Sequence, residues 1–244
     1  MARSFSAASS EYLQYGGAVL AGFPCTLAAW FYLLDVSDYY GILEIGNPGV
    51  TNARWAAIWS GKSSSEYLYA QTRNGATSGL ATSSAKITAG AWHHAVGTFT
   101  GWSARSVYLD GGNSGNNSTS VLSFTPDTTT IGAFTGSGID YHINGYVAEA
   151  AVWNAVLGTD EIAALAHGCR PTSIRPQGLV AYWPLGGLCG RNDRDHWKNG
   201  YHMTAYNTPG WAEHPGILYG GRPRVGTPAK TAHLPWHLFF GRAA

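Results

Sequence analysis

The amino-acid sequence predicts an all-β fold: two antiparallel sheets stacked as a sandwich, with one short helix and a C-terminal extension. Three observations carry this. Short aromatic and β-branched runs alternate with Gly-, Asn- and Pro-rich turns, a spacing that suits an antiparallel sandwich and not βαβ units. The stretch Trp92-His-His-Ala-Val-Gly-Thr-Phe99, followed by Arg105-Ser-Val-Tyr-Leu-Asp-Gly-Gly112, reads as a β-hairpin. The 10 Trp and 14 Tyr, in a chain that is 45% hydrophobic, are large enough to fill the space between two sheets.

Strands are expected at residues 11–15, 26–34, 39–45, 55–60, 66–71, 92–99, 106–110, 128–134 and 145–153. In the central hairpin Val96, Thr98, Val107 and Tyr108 favour a pleated, half-buried surface, residues 100–103 join the two runs, and Asp110-Gly111 supplies the positive φ of a tight turn. Further turns are written at 46–49, 73–75 and 115–117. The run 18–34 is almost wholly apolar, yet Gly22-Phe-Pro24 breaks it and it is short for a bilayer, so residues 26–34 read as a strand buried on both faces. Trp30, Trp92, Phe99, Val107 and Trp153 are expected in the buried layer. The one helix lies at 158–168, with Thr159 as N-cap, Asp160 and Glu161 in the first turn, Ile162, Leu165 and Ala166 on one face, and Gly168 as the stop.

At 244 residues one large β domain with a tail is expected. The sandwich occupies 1–168; residues 169–206 form an appended strand and turns that pack on it at an edge; residues 207–244 form a Pro- and Gly-rich tail. That tail holds Pro209, Pro215, Pro223, Pro228 and Pro235 and has too few apolar residues for a core of its own. Its segment Leu234-Pro-Trp-His-Leu-Phe-Phe240 concentrates apolar groups that would mark an interaction surface, so Trp236, Phe239 and Phe240 are the expected partner-binding residues.

With 15 Lys plus Arg against 14 Asp plus Glu, the net charge of +1 cannot generate the field of a nucleic-acid binder, and no membrane association is expected. Cys25, Cys169 and Cys189 make neither a C-x-x-C pair nor an even framework, so buried thiols are expected; a Cys169–Cys189 bridge stays open. The opening Met1-Ala-Arg-Ser-Phe-Ser has no basic region leading into an apolar core, so no secretion signal is expected.

The W-H-H-x-x-x-T-F and V-Y-L-D-G strings of the hairpin resemble the central hairpin of the laminin G-like, concanavalin A-type lectin-glucanase jelly rolls. The run Asn144-Gly-Tyr-Val-Ala-Glu-Ala-Ala-Val-Trp-Asn-Ala-Val-Leu-Gly-Thr-Asp-Glu-Ile resembles the ending of such domains of the bacterial and bacteriophage type. The resemblance covers about residues 5–168. It departs at Ala148, where the family usually has Asp beside the acidic position that Glu149 fills. It implies a jelly-roll sandwich that binds more often than it catalyses. Calcium occurs in relatives of the fold, but nothing here fixes its ligands, and no cofactor is expected.

A retaining glucanase would need carboxylates about 5 Å apart across the sugar bond. No E-x-D-x-x-E run is present, and Glu44, Glu66 and Glu149 are isolated, so no catalytic residue is assigned. His93 and His94 are strand neighbours that face opposite sides and cannot share a metal. Asp193, Asp195, His196 and His202 mix ligand types without a metal-site spacing and read as a polar turn. Tyr39, Tyr40, Trp55 and Trp59, with Tyr67 and Tyr69, could form an aromatic platform for sugar rings, although half of them must point inward if these are strands. Asn116 and Asn117 head two glycosylation sequons that read as ordinary loop residues.

These readings converge on a non-enzymatic structural protein of a virus particle, a bacteriophage capsid decoration or head-associated protein on the virion surface. Its expected partners are a major capsid protein, other virion subunits and copies of itself, with a glycan as a candidate ligand. The alternative is a carbohydrate-binding adhesin or tail-associated receptor binder, and the third reading a glycan-active enzyme.

Overall fold

The computed structural model describes residues 1–48, 54–135, 138–186 and 192–218. Cys189 and the predicted partner-binding residues Trp236, Phe239 and Phe240 lie outside them. In chain order the strands are β1 (Ala2–Phe5), β2 (Tyr12–Tyr15), β3 (Cys25–Leu33), β4 (Tyr40–Asn47), β5 (Arg54–Ser60), β6 (Tyr67–Asn74), β7 (Thr77–Lys86), β8 (Trp92–Gly101) and β9 (Ala104–Leu109). They continue as β10 (Gly112–Asn117), β11 (Thr128–Ile131), β12 (Phe134–Thr135), β13 (Ile139–Asp140) and β14 (Gly145–Trp153). After the helix α1 (Thr159–Ala166) come β15 (Leu179–Trp183), β16 (Thr204–Tyr206) and β17 (Gly210–Ala212).

Sheet I runs β10-β9-β8-β3-β14-β1-β17, with β15 also on β14; sheet II runs β16-β2-β11-β4-β5-β6-β7. All these pairings are antiparallel, and the two inner faces enclose one core, in which Leu27, Phe31 and Phe99 of sheet I meet Leu43, Ile58 and Leu68 of sheet II. The fold is therefore the predicted two-sheet sandwich, with a single α-helix among the described residues.

Strand alternation corrects the expected buried layer. Phe31 and Phe99 turn inward and are fully buried, so Trp30 and Trp92 stand on the outer face of sheet I and are only half-buried. Trp153 is fully buried, but on that same outer side: it packs with Leu157, Ile162, Leu165 and Tyr182 beneath α1, and its Nε1 donates to the Ile174 carbonyl at 2.9 Å.

The hairpin forms as expected, with Asp110 at φ 54° and Gly111 at φ 77° in the turn between β9 and β10. Residues 115–117 are not the expected turn but the end of β10. A Cβ on Gly115 would meet the Thr82 carbonyl oxygen at 1.8 Å, so this glycine lets β10 lie close against β7. The expected strand 128–134 is two, β11 in sheet II and β12 in the separate hairpin β12–β13. In α1 the N-cap is Gly158 and not Thr159: the Gly158 N–H donates to Glu161 Oε2 at 2.7 Å, so the first-turn glutamate supplies the cap interaction and Thr159 enters the helix.

The appended segments join both sheets. β15 pairs with residues 150–153 of β14 on the side where β1 pairs with residues 145–147, and the switch falls at Glu149, whose φ is 53°. β16 extends sheet II from β2, and β17 extends sheet I from β1. The expected boundary at residue 206 therefore falls between two strands of the sandwich. Arg3 secures this arrangement with a bidentate pair to Asp193 (2.6 Å for each bond), a 2.6 Å bond to the Pro209 carbonyl and a guanidinium 4.2 Å from the Trp211 ring.

Candidate functional site

On β5, Ala56 and Ile58 turn into the core, so Trp55, Ala57 and Trp59 face outward, opposite Arg73, Gln71 and Tyr69 of β6. The two indoles are nonetheless buried, because Phe134 of the crossing hairpin lies against both, with ring centroids 5.7 and 5.3 Å away. Tyr69 stacks on Trp59 at 4.5 Å. Trp55 Nε1 donates to Gln71 Oε1 at 3.2 Å, whereas the buried Trp59 Nε1 has no acceptor among the described residues.

Tyr40 does not pack with these rings, although it lines the cleft beside Tyr39. It belongs to the inner core and donates its hydroxyl to Asp35. Burial and that bond push the Tyr40 phenol up to about 12, while hydrogen bonds from Ser37, Tyr40 and Asn144 outweigh burial and bring the Asp35 carboxyl down to about 2. An ionised Asp35 thus anchors the turn that presents Asp38 and Tyr39. Tyr39 is half-buried at the flank of the aromatic bed, 5.6 Å from Trp59 and beneath Lys62 Nζ at 4.9 Å.

Across from Tyr39, at 5.9 Å, stands Tyr141, which stacks on Phe134 at 4.4 Å. Tyr141 holds a left-handed backbone (φ 50°), pinned by the Gly41 N–H on its carbonyl at 2.8 Å. The two rings frame a cleft of about 480 Å³, whose remaining wall includes Ser37, Asp38, Asp140 and His142. Burial lowers the His142 pKa despite the nearby Asp140 charge, which leaves the imidazole neutral and able both to donate and to accept. Flat rings beside two carboxylates and a neutral imidazole suit a ligand with apolar faces and hydroxyl edges. Tyr141, Asp140 and Phe134 escaped sequence reasoning because they lie in and around a two-residue hairpin that shows no strand periodicity.

The isolated carboxylates do not come together. Glu44 is buried opposite Ala57 on the outer side of sheet II, Glu66 pairs with Lys86 at 2.9 Å, and Glu149 is buried on the outer side of sheet I. Sheets stack about 10 Å apart, so outward carboxylates on opposite sheets cannot flank one glycosidic bond.

His93 and His94 do face opposite sides, and both are buried. His93 Nδ1 sits 2.8 Å from Asp110 Oδ2, and His94 packs on Trp30 with ring centroids 5.2 Å apart. Asp195 organises the predicted polar turn by accepting the backbone N–H groups of Tyr182, Trp197 and Tyr201. Cys25 is a buried free thiol whose pKa burial raises; Cys169 is free and half-buried. Among the described residues no three His, Cys, Asp or Glu side chains gather in a group that could hold a metal ion. Among the same residues no helix is long and apolar enough to cross a membrane.

Solved structures share this fold. A native heptameric SAP-like pentraxin from Limulus polyphemus is 15% identical, with 82% of this chain and 87% of that one covered and a TM-score of 0.56. The Ruminococcus gnavus IT-sialidase CBM40, bound to α2,3 sialyllactose, is 14% identical over 60% of this chain and 84% of its own, at 0.52. Tailspike protein 2 of an Escherichia coli O157:H7 bacteriophage is 15% identical over 75% of this chain, which spans 26% of the tailspike, at 0.55. These identities carry a likeness of fold alone. No curated protein is significantly similar in sequence. Residues 7–163 match the family described as the concanavalin A-like lectin/glucanases superfamily, and with more than half of the sequence inside that match the chain belongs to this superfamily.

Proposed function

We propose that the protein is a non-enzymatic glycan-binding module that works on the exterior of a virus particle. The observation that carries the binding role is the cleft between Tyr39 and Tyr141, where two rings stand over a polar wall. Among the described residues neither tyrosine hydroxyl makes a hydrogen bond, so both remain to be used by a ligand. The sialyllactose-bound relative and the bacteriophage tailspike share this fold and support the reading. The test is a glycan-array screen followed by calorimetry: an oligosaccharide should bind the wild type, and Tyr141→Ala should weaken it about tenfold or more. No glycan bound, or unchanged affinity in both Tyr39→Ala and Tyr141→Ala, overturns it. Turnover of a polysaccharide that disappears in Asp38→Asn, Asp140→Asn or Glu44→Gln would make the protein an enzyme instead.

The second reading is a capsid decoration protein that joins a major capsid protein or its own copies. It rests on the near-neutral charge and the apolar density of residues 234–240. Deleting residues 234–244 should leave the melting temperature unchanged and abolish assembly; normal incorporation of the truncated chain would defeat it.

A further inference from the structure

We infer that a second glycan-binding groove lies on the outer face of sheet I, floored by Tyr32, Trp92 and Tyr146 and walled by the C-terminal segment that follows β17. It lies on the opposite sheet from the Tyr39–Tyr141 cleft and does not depend on it.

Strand register builds the floor. Ser4 pairs with Tyr146, Tyr146 with Tyr32, and Tyr32 with Trp92, so one row crosses β1, β14, β3 and β8. Tyr32 and Tyr146 stack with ring centroids 5.0 Å apart, and Trp92 meets Tyr32 at 5.8 Å. Further along the same face α1 and Trp197 cover the sheet and bury Trp153, whereas the three floor rings stay half-exposed.

The wall is fixed at both ends. β17 pairs with β1, and beyond it the Leu218 N–H donates to the Gly168 carbonyl at 2.7 Å. Between these points His214 Nε2 lies 3.2 Å from Glu149 Oε1. Floor and wall enclose about 640 Å³, a volume suited to a small ligand.

The polar groups identify the ligand class. Among the described residues the Tyr32 and Tyr146 hydroxyls, the Trp92 indole N–H and the Glu213 carboxylate take part in no hydrogen bond or ion pair. Flat rings interleaved with unused donors and acceptors match a pyranose chain, which presents C–H faces to rings and hydroxyls at its edges. Among the described residues the one uncommitted charge on the rim, Glu213, is negative, and Arg3 nearby is engaged by Asp193, so the groove favours a neutral sugar chain over an acidic one. An extended peptide added as a strand is excluded at β1, whose free side is taken by β17.

The experiment titrates the full chain with neutral hexasaccharides (cellohexaose, maltohexaose, mannohexaose) and with an oligogalacturonate, read by calorimetry and tryptophan fluorescence. At least one neutral hexasaccharide should bind, and Trp92→Ala should weaken it about tenfold. Glu213→Ala, on the exposed rim, should weaken it without moving the melting temperature, which keeps the test valid if Trp92→Ala is poorly folded. Binding that persists in Tyr39→Ala and Tyr141→Ala but falls in the groove variants supports this groove and counts against the first cleft. Binding lost only in those two cleft variants, or tighter binding of oligogalacturonate, overturns the groove, as does the absence of any response to the neutral chains.

Discussion

Tyr182 donates its hydroxyl to Glu149 Oε2 at 2.6 Å, bridging β15 to the residue at which β14 changes partner from β1 to β15. Both residues are buried, and burial together with the carboxylate's charge raises the Tyr182 pKa. Tyr182→Phe removes one donor from a buried carboxylate and should cost about 1–3 kcal/mol. Urea denaturation followed by tryptophan fluorescence checks this, and a midpoint equal to wild type would show that the bond contributes nothing.

The buried imidazole of His94 should make the fold acid-labile. Burial holds its pKa at about 3, against 6.5 for an ordinary histidine. Between those values the unfolded chain binds a proton that the folded chain does not. Stability from this residue is thus full above 6.5 and falls as the pH drops towards 3, by up to about 1.4 kcal/mol per pH unit. His93 acts in the opposite sense: burial opposes its charge, but the Asp110 bond outweighs it and raises the pKa, so its contribution is present below 6.5 and is lost as the pH rises through the folded value. Denaturation midpoints measured across the acid range should flatten in His94→Leu; an unchanged slope would rule out His94 as the cause.

Trp153→Ala should destabilise the domain by about 3–5 kcal/mol, because it empties a fully buried site and orphans the Ile174 carbonyl. Trp153→Phe should recover part of that loss, by refilling volume without the Nε1 donor. Thermal melts of the two variants order them, and equal melting temperatures would refute the packing role.

Arg3→Ala leaves Asp193 without its bidentate partner and should cost about 3–5 kcal/mol. Arg3→Lys should not rescue it, because an ammonium cannot reproduce the planar fork. Hydrogen exchange should show the loss first in β17 and β16; protection there equal to wild type would mean that Arg3 does not hold the segment.

Strands built of aromatic and β-branched residues, such as β3 and β8, were legible in the sequence because their side chains themselves favour a pleated surface. β7 and β10 were not. Their Gly, Ser, Ala and Asn residues carry no such signal, and close contact of neighbouring strands makes them strands. Period-two alternation could say that Tyr39 and Tyr40 point apart, but not which one faces the core. The same period puts Trp55 and Trp59 on one face of their strand without saying which, and the cover that Phe134 places on them was not legible at all. The row of Tyr32, Trp92 and Tyr146 was illegible for a further reason: its members come from three strands far apart in sequence, and only register brings them together.

The three-residue strands β16 and β17 have one more effect. Among the described residues the β1 edge of sheet I and the β2 edge of sheet II each end in such a stub, with few unpaired N–H and C=O groups and too short a template for an incoming strand. Two copies meeting edge to edge are thereby discouraged from zipping into a continuous ribbon at these edges. A visitor there, whether a sugar chain or a neighbouring subunit, must read side chains on the faces of the sandwich.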